Sequence, residues 1–154
     1  MPPIGVISDT HGLLRPEALA ALRGCSQIIH AGDVGKLEIL DALRTIAPVV
    51  AVRGNIDRGA QFDVLPEDAV VEIDRHRVYV LHDIAQLDRD PAADGLSVVI
   101  YGHSHVPKIE QRDGVLFLNP GSAGPRRFKL PITLALLTLQ DDKLHAQLVD
   151  LTTI

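Results

Sequence analysis

Short apolar runs that end in glycine, aspartate or histidine alternate, over the N-terminal part of the chain, with segments of helical period. Ile4 to Ser8, Gln27 to Ala31 and Val49 to Arg53 read as buried strands. Between them, Pro16 to Leu22 predicts a short helix, with proline in its first turn and Gly24 just past its end. Residues 36 to 46 predict a second helix, because Leu37, Leu40, Leu43 and Ile46 recur near the helical period with Glu38, Asp41 and Arg44 between them. Strands alternating with helices imply βαβ units and a parallel sheet. Asp9, Asp33 and Asn55, each just beyond a predicted strand, should then collect at one sheet edge, where α/β proteins bind their ligands.

From about residue 64 short β-runs take over: Ala69 to Ile73, Val78 to Leu81, Leu96 to Tyr101, Lys108 to Gln111 and Val115 to Leu118. Asp74-Arg75-His76 and Asp113-Gly114 lie between such runs, the latter a favourable type I′ hairpin signal. Ile132, Leu134 and Leu136 alternate with Thr133 and Ala135, Asp141-Asp142 follows as a turn, and Leu144 to Val149 alternates again, which predicts a closing β-hairpin. The stretch Asp83 to Asp94 fits neither period and reads as a loop or a short helix. The expectation is an α/β protein with mixed sheets and a C-terminal β-hairpin, in one domain over residues 1–154.

Composition narrows the possible partners. Cys25, the single cysteine, excludes an intrachain disulfide, fits a reducing cytoplasm, and reads as a small buried side chain. Met1-Pro2-Pro3 leads straight into the first strand without a signal-peptide pattern, and no apolar run approaches bilayer length, so a cytoplasmic protein is expected. A formal net charge of -5 argues against a general nucleic-acid or anionic-membrane surface, while self-association stays open. Arg126-Arg127 with Lys129 is the one dense basic cluster, large enough for a single phosphate.

The chemistry lies at the strand ends. Asp9 and His11 stand two apart, as do His103 and His105, and alternate residues of an extended backbone face the same way, so each pair can offer two ligands together. Oxygens from Asp9, Asp33 and Asn55, joined by imidazoles from His11, His82, His103 and His105, describe a pocket for divalent transition metals. The lack of cysteine in the set disfavours a structural zinc site. One ion would be over-supplied by so many candidates, whereas two ions about 3.5–4 Å apart around a bridging carboxylate would use them all. His30 reads as lying in or under a strand end, His76 as part of a turn, and His145 as being on the polar face of the last hairpin; none is given a catalytic role.

The ordered series Ser8-Asp9-Thr10-His11-Gly12, Ala31-Gly32-Asp33-Val34, Arg53-Gly54-Asn55-Ile56-Asp57, His82, Tyr101-Gly102-His103-Ser104-His105 and Asn119-Pro120-Gly121-Ser122 resembles the calcineurin-like metallophosphoesterase superfamily, and within it the small bacterial and archaeal phosphodiesterases. The resemblance implies a four-layer αββα sandwich holding two metals. It places Asp9, His11, Asp33 and His105 on the first metal and Asp33, Asn55, His82 and His103 on the second, with Asp33 as the bridge. Mn²⁺ is the expected ion, with Fe, Ni, Co or Zn also suited. A hydroxide between the metals would attack a small phosphodiester in line. Asn55 and His103 would touch the phosphate, and Arg126 or Arg127 would clamp an oxygen. Two departures stand out: Asp83 where many relatives have glycine, and Ile56 where many phosphatases have a proton-donating histidine. The other functions open to such a chain are phosphomonoester hydrolysis at the same centre and protein binding of the kind found in the retromer complex.

Overall fold

The computed structural model describes residues 2–152. Its elements in chain order are β1 (Ile4–Ile7), α1 (Pro16–Leu22), β2 (Gln27–His30), α2 (Leu37–Arg44), β3 (Val49–Ala51), β4 (Asp68–Ile73), β5 (His76–Leu81), β6 (Val98–Ile100), β7 (Lys108–Arg112), β8 (Val115–Asn119), β9 (Thr133–Gln140) and β10 (Lys143–Asp150). They form two mixed five-stranded sheets, ordered β10-β9-β1-β2-β3 and β4-β5-β6-β8-β7. This is the α/β metallophosphatase fold with the expected C-terminal hairpin. Among the described residues, no helix is long and apolar enough to cross a membrane.

Strand alternation decides what each face meets. In β1, Ile4 and Val6 point between the sheets, where they pack with Ile29, Val78, Val80, Val98, Ile100 and Leu118. Ile7 points the other way, towards α1 and α2, with Ile28 and Leu134. Each helix answers with a buried stripe at helical spacing, Ala18 and Leu22 on α1, and Ile39, Leu40 and Leu43 on α2. The outer face of the second sheet carries Tyr79, Leu81, Val99, Tyr101 and Phe117, covered by Ile84, Leu87 and Leu96. There the outer layer is reduced to the segment after β5, with one 3₁₀ turn at Ile84–Gln86.

The differences from the expected elements are small. A 3₁₀ helix at Ala60–Val64 had no periodic signal, being too short to show one. His76 belongs to β5 rather than to a turn. Its Nδ1 lies 2.8 Å from Ser97 Oγ and its Nε2 2.8 Å from the Asp142 carbonyl, which fastens the last hairpin to the second sheet. His145 is exposed on β10, as its place in the alternation suggests.

In the first sheet β1, β2 and β3 run parallel, and in the second β5, β6 and β8 do. Their C-terminal ends deliver Asp9, Asp33, Asn55, His82, His103 and Asn119 to one end of the sandwich. Within each sheet backbone joins neighbouring loops: the Asp9 N–H donates to the Gly32 carbonyl at 3.0 Å in the first, and the Gly102 N–H donates to the His82 carbonyl at 2.9 Å in the second.

At Gly5, a Cβ would overlap Leu22 of α1 and come within 3.3 Å of Cys25 Sγ, so the first helix rests directly on the β1 backbone. Gly5→Ala is expected to cost about 1–3 kcal/mol through overpacking, and Leu22→Ala about 2–5 kcal/mol through the cavity it leaves. Because the smaller side chain makes room for the new methyl, the double variant should lose less than the sum. Urea unfolding of the three variants checks this, and strict additivity would show that the helix does not limit position 5.

Candidate metal centre

Two carboxylates lie at the centre of the sheet end. Asp9 is fully buried and Asp33 nearly so. One oxygen of Asp9, Oδ2, is occupied: the Ser8 hydroxyl donates to it at 2.7 Å and the His103 N–H at 3.1 Å. Its other oxygen, Oδ1, lies 3.4 Å from His105 Nε2, 3.7 Å from His11 Nε2 and 3.9 Å from His82 Nε2. Asp33 is divided in the same way. Its Oδ1 accepts from the Ile56 N–H at 3.1 Å, and its Oδ2 lies 3.3 Å from His11 Nε2 and 3.2 Å from His82 Nε2.

The histidines come in two pairs from different loops. The rings of His11 and His105 are 5.2 Å apart, and those of His82 and His103 are 5.3 Å apart. Asp9, His11 and His105 form one group of potential ligands, and Asp9, Asp33 and His82 another, with the ligand atoms in each group within 4.8 Å of one another. Asp9 Oδ1, His11 Nε2 and His82 Nε2 are buried without a hydrogen-bond partner. Converging unpartnered atoms of this kind are costly unless something else satisfies them. Carboxylate oxygen with imidazole nitrogen is a donor set that divalent transition metals satisfy. The residues present therefore fit two candidate metal sites.

The proton balance agrees with such a cluster. Burial by itself would raise the pKa of Asp9, but His105, His11 and Ser8 hold the carboxyl well below its ordinary range. Burial also works against ionisation of Asp33, yet the imidazole of His82 beside it keeps its pKa lowered; on His82, burial is outweighed by Asp33 and Asp9, and its pKa is raised.

Asn55 and His103 are brought to the rim rather than into the compact groups, and both are exposed. His103 Nε2 lies 4.0 Å from Asp83 Oδ2. Asp83, the departure from the family pattern, uses its other oxygen to accept from the Ala85 N–H and start the 3₁₀ turn. Arg126, the residue expected to clamp a phosphate oxygen, is exposed in the loop between β8 and β9. Its Nε–H donates to the Leu130 carbonyl at 3.0 Å, and its charge acts on Asp150.

One correction concerns backbone geometry. The pairs at 9/11 and 103/105 are not in extended chain: Asp9, His11, Asp33, His103 and His105 have φ of 56°, 48°, 54°, 72° and 66°. These are left-handed turns, uncommon for residues with a Cβ and typical of functional loops. Close approach does the rest. A Cβ on Gly32 would come within 2.7 Å of His82 Nδ1, and one on Gly102 would overlap Ser8 Oγ, so only glycine lets these loops close on the ligands.

Two buried side chains outside the ligand set hold the loops. Asp57 accepts from the N–H groups of Val34 at 3.1 Å, Gly35 at 2.9 Å and Gly54 at 2.8 Å, binding the Asn55 loop to the Asp33 loop. His30 lies wholly inside. Its Nδ1 accepts from the Gly32 N–H at 3.1 Å, which leaves Nε2–H to donate to Thr10 Oγ1 at 3.0 Å, while the Thr10 hydroxyl donates to the Val34 carbonyl at 2.9 Å. One neutral ring thus ties the loop of Asp9 and His11 to that of Asp33. Sequence reading placed His30 under the strand end but had no means of seeing this link.

Residues 3–142 match the family model of the calcineurin-like phosphoesterase superfamily domain. A protein of Methanothermobacter thermautotrophicus described as "Probable metallophosphoesterase" is 37% identical, over 95% of this chain and 91% of its own length. A solved structure described as a novel archaeal phosphodiesterase superposes with a TM-score of 0.79 at 25% identity, covering 96% of this chain and 99% of that one. Vps29 from Chaetomium thermophilum superposes at 0.78 with 20% identity, over 98% and 97% of the two chains, a likeness of fold alone. The chain belongs to the calcineurin-like phosphoesterase superfamily. Within it, the chain falls in the small archaeal and bacterial branch.

The link through His30 has a measurable consequence. Burial pushes its pKa from 6.5 down to about 4, although Asp9 and Asp57 pull the other way. Between those values the unfolded chain binds more protons than the folded one, so stability falls as pH is lowered through the window, by about 3 kcal/mol in all. The lowered carboxyls of Asp9 and Asp33 act below that window, and the raised His82 acts above it. Urea unfolding of metal-free protein at pH 6.5 and pH 4 should show the loss in wild type and a much flatter profile in His30→Gln. Equal slopes would mean that His30 is not held neutral.

Proposed function

We propose that this chain is a metal-dependent phosphodiesterase acting on a small phosphodiester. The carrying observation is the convergence of Asp9 Oδ1, His11 Nε2 and His82 Nε2, all buried without hydrogen-bond partners. Asp9, His11, Asp33 and His105 would hold one divalent cation, and Asp33, Asn55, His82 and His103 a second. Asp33 is the proposed shared ligand, because its Oδ2 lies between a histidine of each set. When bound, the two cations supply an activated water and positive charge opposite the phosphoryl oxygens.

The protein's own residues supply position. Asn55 and His103, both exposed at the rim, would hold the non-bridging oxygens of the phosphate. Ser8 and the His103 N–H hold Asp9 so that only one of its oxygens faces the site. In the reaction, a water oxygen bonds to phosphorus, the P–O bond to the departing group breaks, and the departing oxygen takes up a proton. Neither of the two residues that follow Asn55 can give that proton. Ile56 has none, and Asp57 is occupied by three backbone N–H groups.

Four measurements test the reading. Elemental analysis after reloading with Mn²⁺ should give two ions per chain; a ceiling of one removes the dinuclear centre. Asp33→Asn should reduce turnover more than Asp9→Asn at saturating metal, and the reverse order would move the bridge to Asp9. Product analysis should show diesters cleaved in preference to monoesters. Turnover should also depend steeply on leaving-group pKa, since general acid catalysis is worth about 10²–10⁴ in rate and none is supplied. A shallow dependence, with chemistry rate-limiting, would show that an acid is present.

A further inference from the structure

A cleft of about 420 Å³ opens beside the metal centre, and His82 and Asn55 form part of its wall. His82 is 5% exposed, and its Nε2 faces away from the open cleft, 3.2 Å from Asp33 Oδ2 in the metal centre, so the cleft and the candidate metal site share this one side chain. A phosphate seated against these two residues would send one of its ester groups into the cleft. The inference rests on the phosphodiesterase reading and deepens it: the chemistry of the cleft selects that ester group.

The lining is strongly acidic. Glu67, Asp68, Asp83 and Asp88 contribute carboxylates, against a single cation, Arg53. That cation is already spoken for, since its guanidinium lies 3.5 Å from Glu67 and 3.6 Å from Asp63. Asp68 Oδ2 accepts from the Tyr79 hydroxyl at 2.7 Å, which leaves its other oxygen for the cleft. Asp88 makes no hydrogen bond or ion pair among the described residues. Arg89 sits 4.7 Å from the centre of the Tyr79 ring, but Asp94 at 2.7 Å balances its charge. Tyr79 and Leu81 add apolar wall.

A concave site of one sign concentrates ligands of the other sign. A second phosphate or a carboxylate on the substrate would be repelled, and a neutral group would gain nothing from the charge. We infer that the ester group held in this cleft is a cationic alcohol, an amino alcohol or its quaternary ammonium form, selected by Glu67, Asp68 and Asp88. Its alkyl groups would lie along Tyr79 and Leu81 while its charge faces the carboxylates. The reaction is the hydrolysis already written, with the cationic alcohol kept on the phosphate when the other ester oxygen departs.

The test uses two substrates of one shape, p-nitrophenyl phosphorylcholine and p-nitrophenyl 3,3-dimethylbutyl phosphate, with the Mn²⁺-loaded protein. At low salt, kcat/KM for p-nitrophenolate release should be at least about tenfold higher for the choline ester. The preference should shrink in high salt. It should approach unity when Glu67→Gln is combined with Asp88→Asn, with the rate on the neutral ester unchanged. In metal-free protein, choline should shift the amide resonances of Asp68, Tyr79 and Gln86. Equal or reversed preference in the wild type overturns the inference and leaves the phosphodiesterase reading standing. If neither ester is cleaved, the hydrolase reading fails, and the choline titration alone decides: shifts at those amides support a cation site, and their absence overturns it.

Discussion

A carboxylate with no exposed surface, Asp9, sets the terms for the rest of the molecule. An ionised side chain taken out of water is costly by several kcal/mol unless its oxygens are met. Ser8 on the preceding residue and the His103 N–H from the opposite sheet meet one oxygen. The second contact crosses the sandwich, so the two sheets must close at this end for Asp9 to be tolerated at all. The other oxygen is left to the three histidines, and the same burial that makes the group costly makes it a strong cation ligand. Packing and chemistry are therefore one problem here. Ser122 adds to the closure, its hydroxyl donating to the Asp9 carbonyl at 3.0 Å.

Around that carboxylate the protein uses rigid means to place flexible elements. The ligands stand on turns, and turns wander unless held. Asp57 and His30 hold them with buried hydrogen bonds to backbone N–H groups and to Thr10. Neither side chain belongs to the candidate ligand set, yet each joins two loops that do. The carboxylates Glu67, Asp68 and Asp88 of the acidic cleft lie outside this rigid frame, on exposed chain where β4 begins and in the segment after β5. Substitutions there can change what is bound without moving what binds the metal.

Much of this was legible in the sequence because the signals were physical and local. A short apolar run closed by Gly-Asp or by histidine marks a strand end, and a ladder of such ends in α/β order implies one shared edge. The strands came within a residue or two of their observed limits for that reason, except β9, whose alternation was read to Leu136 and which runs on to Gln140. What was not legible depended on contacts far apart in sequence. His30 in an apolar run looks like any core histidine, and only the fold reveals Thr10 and Gly32 on its two nitrogens. Arg126 shows the same limit: a long side chain in a turn has no direction until the loop closes, and here its Nε–H meets the Leu130 carbonyl within the same loop. The extended geometry expected for the two spaced pairs failed because side-chain alternation holds only within a strand, and these residues lie just beyond one.

The left-handed backbone at five of the seven candidate ligand positions alters what a substitution there would mean. Aspartate and histidine tolerate that conformation better than most residues, whereas alanine meets a steric penalty of about 1–2 kcal/mol at each such position. Glycine meets none, so it would relax the loop as it removes the ligand. An alanine scan of this edge would mix lost chemistry with added strain, and a glycine scan would yield an inert protein with a more comfortable backbone. The candidate ligand set is therefore held against the preference of its own main chain.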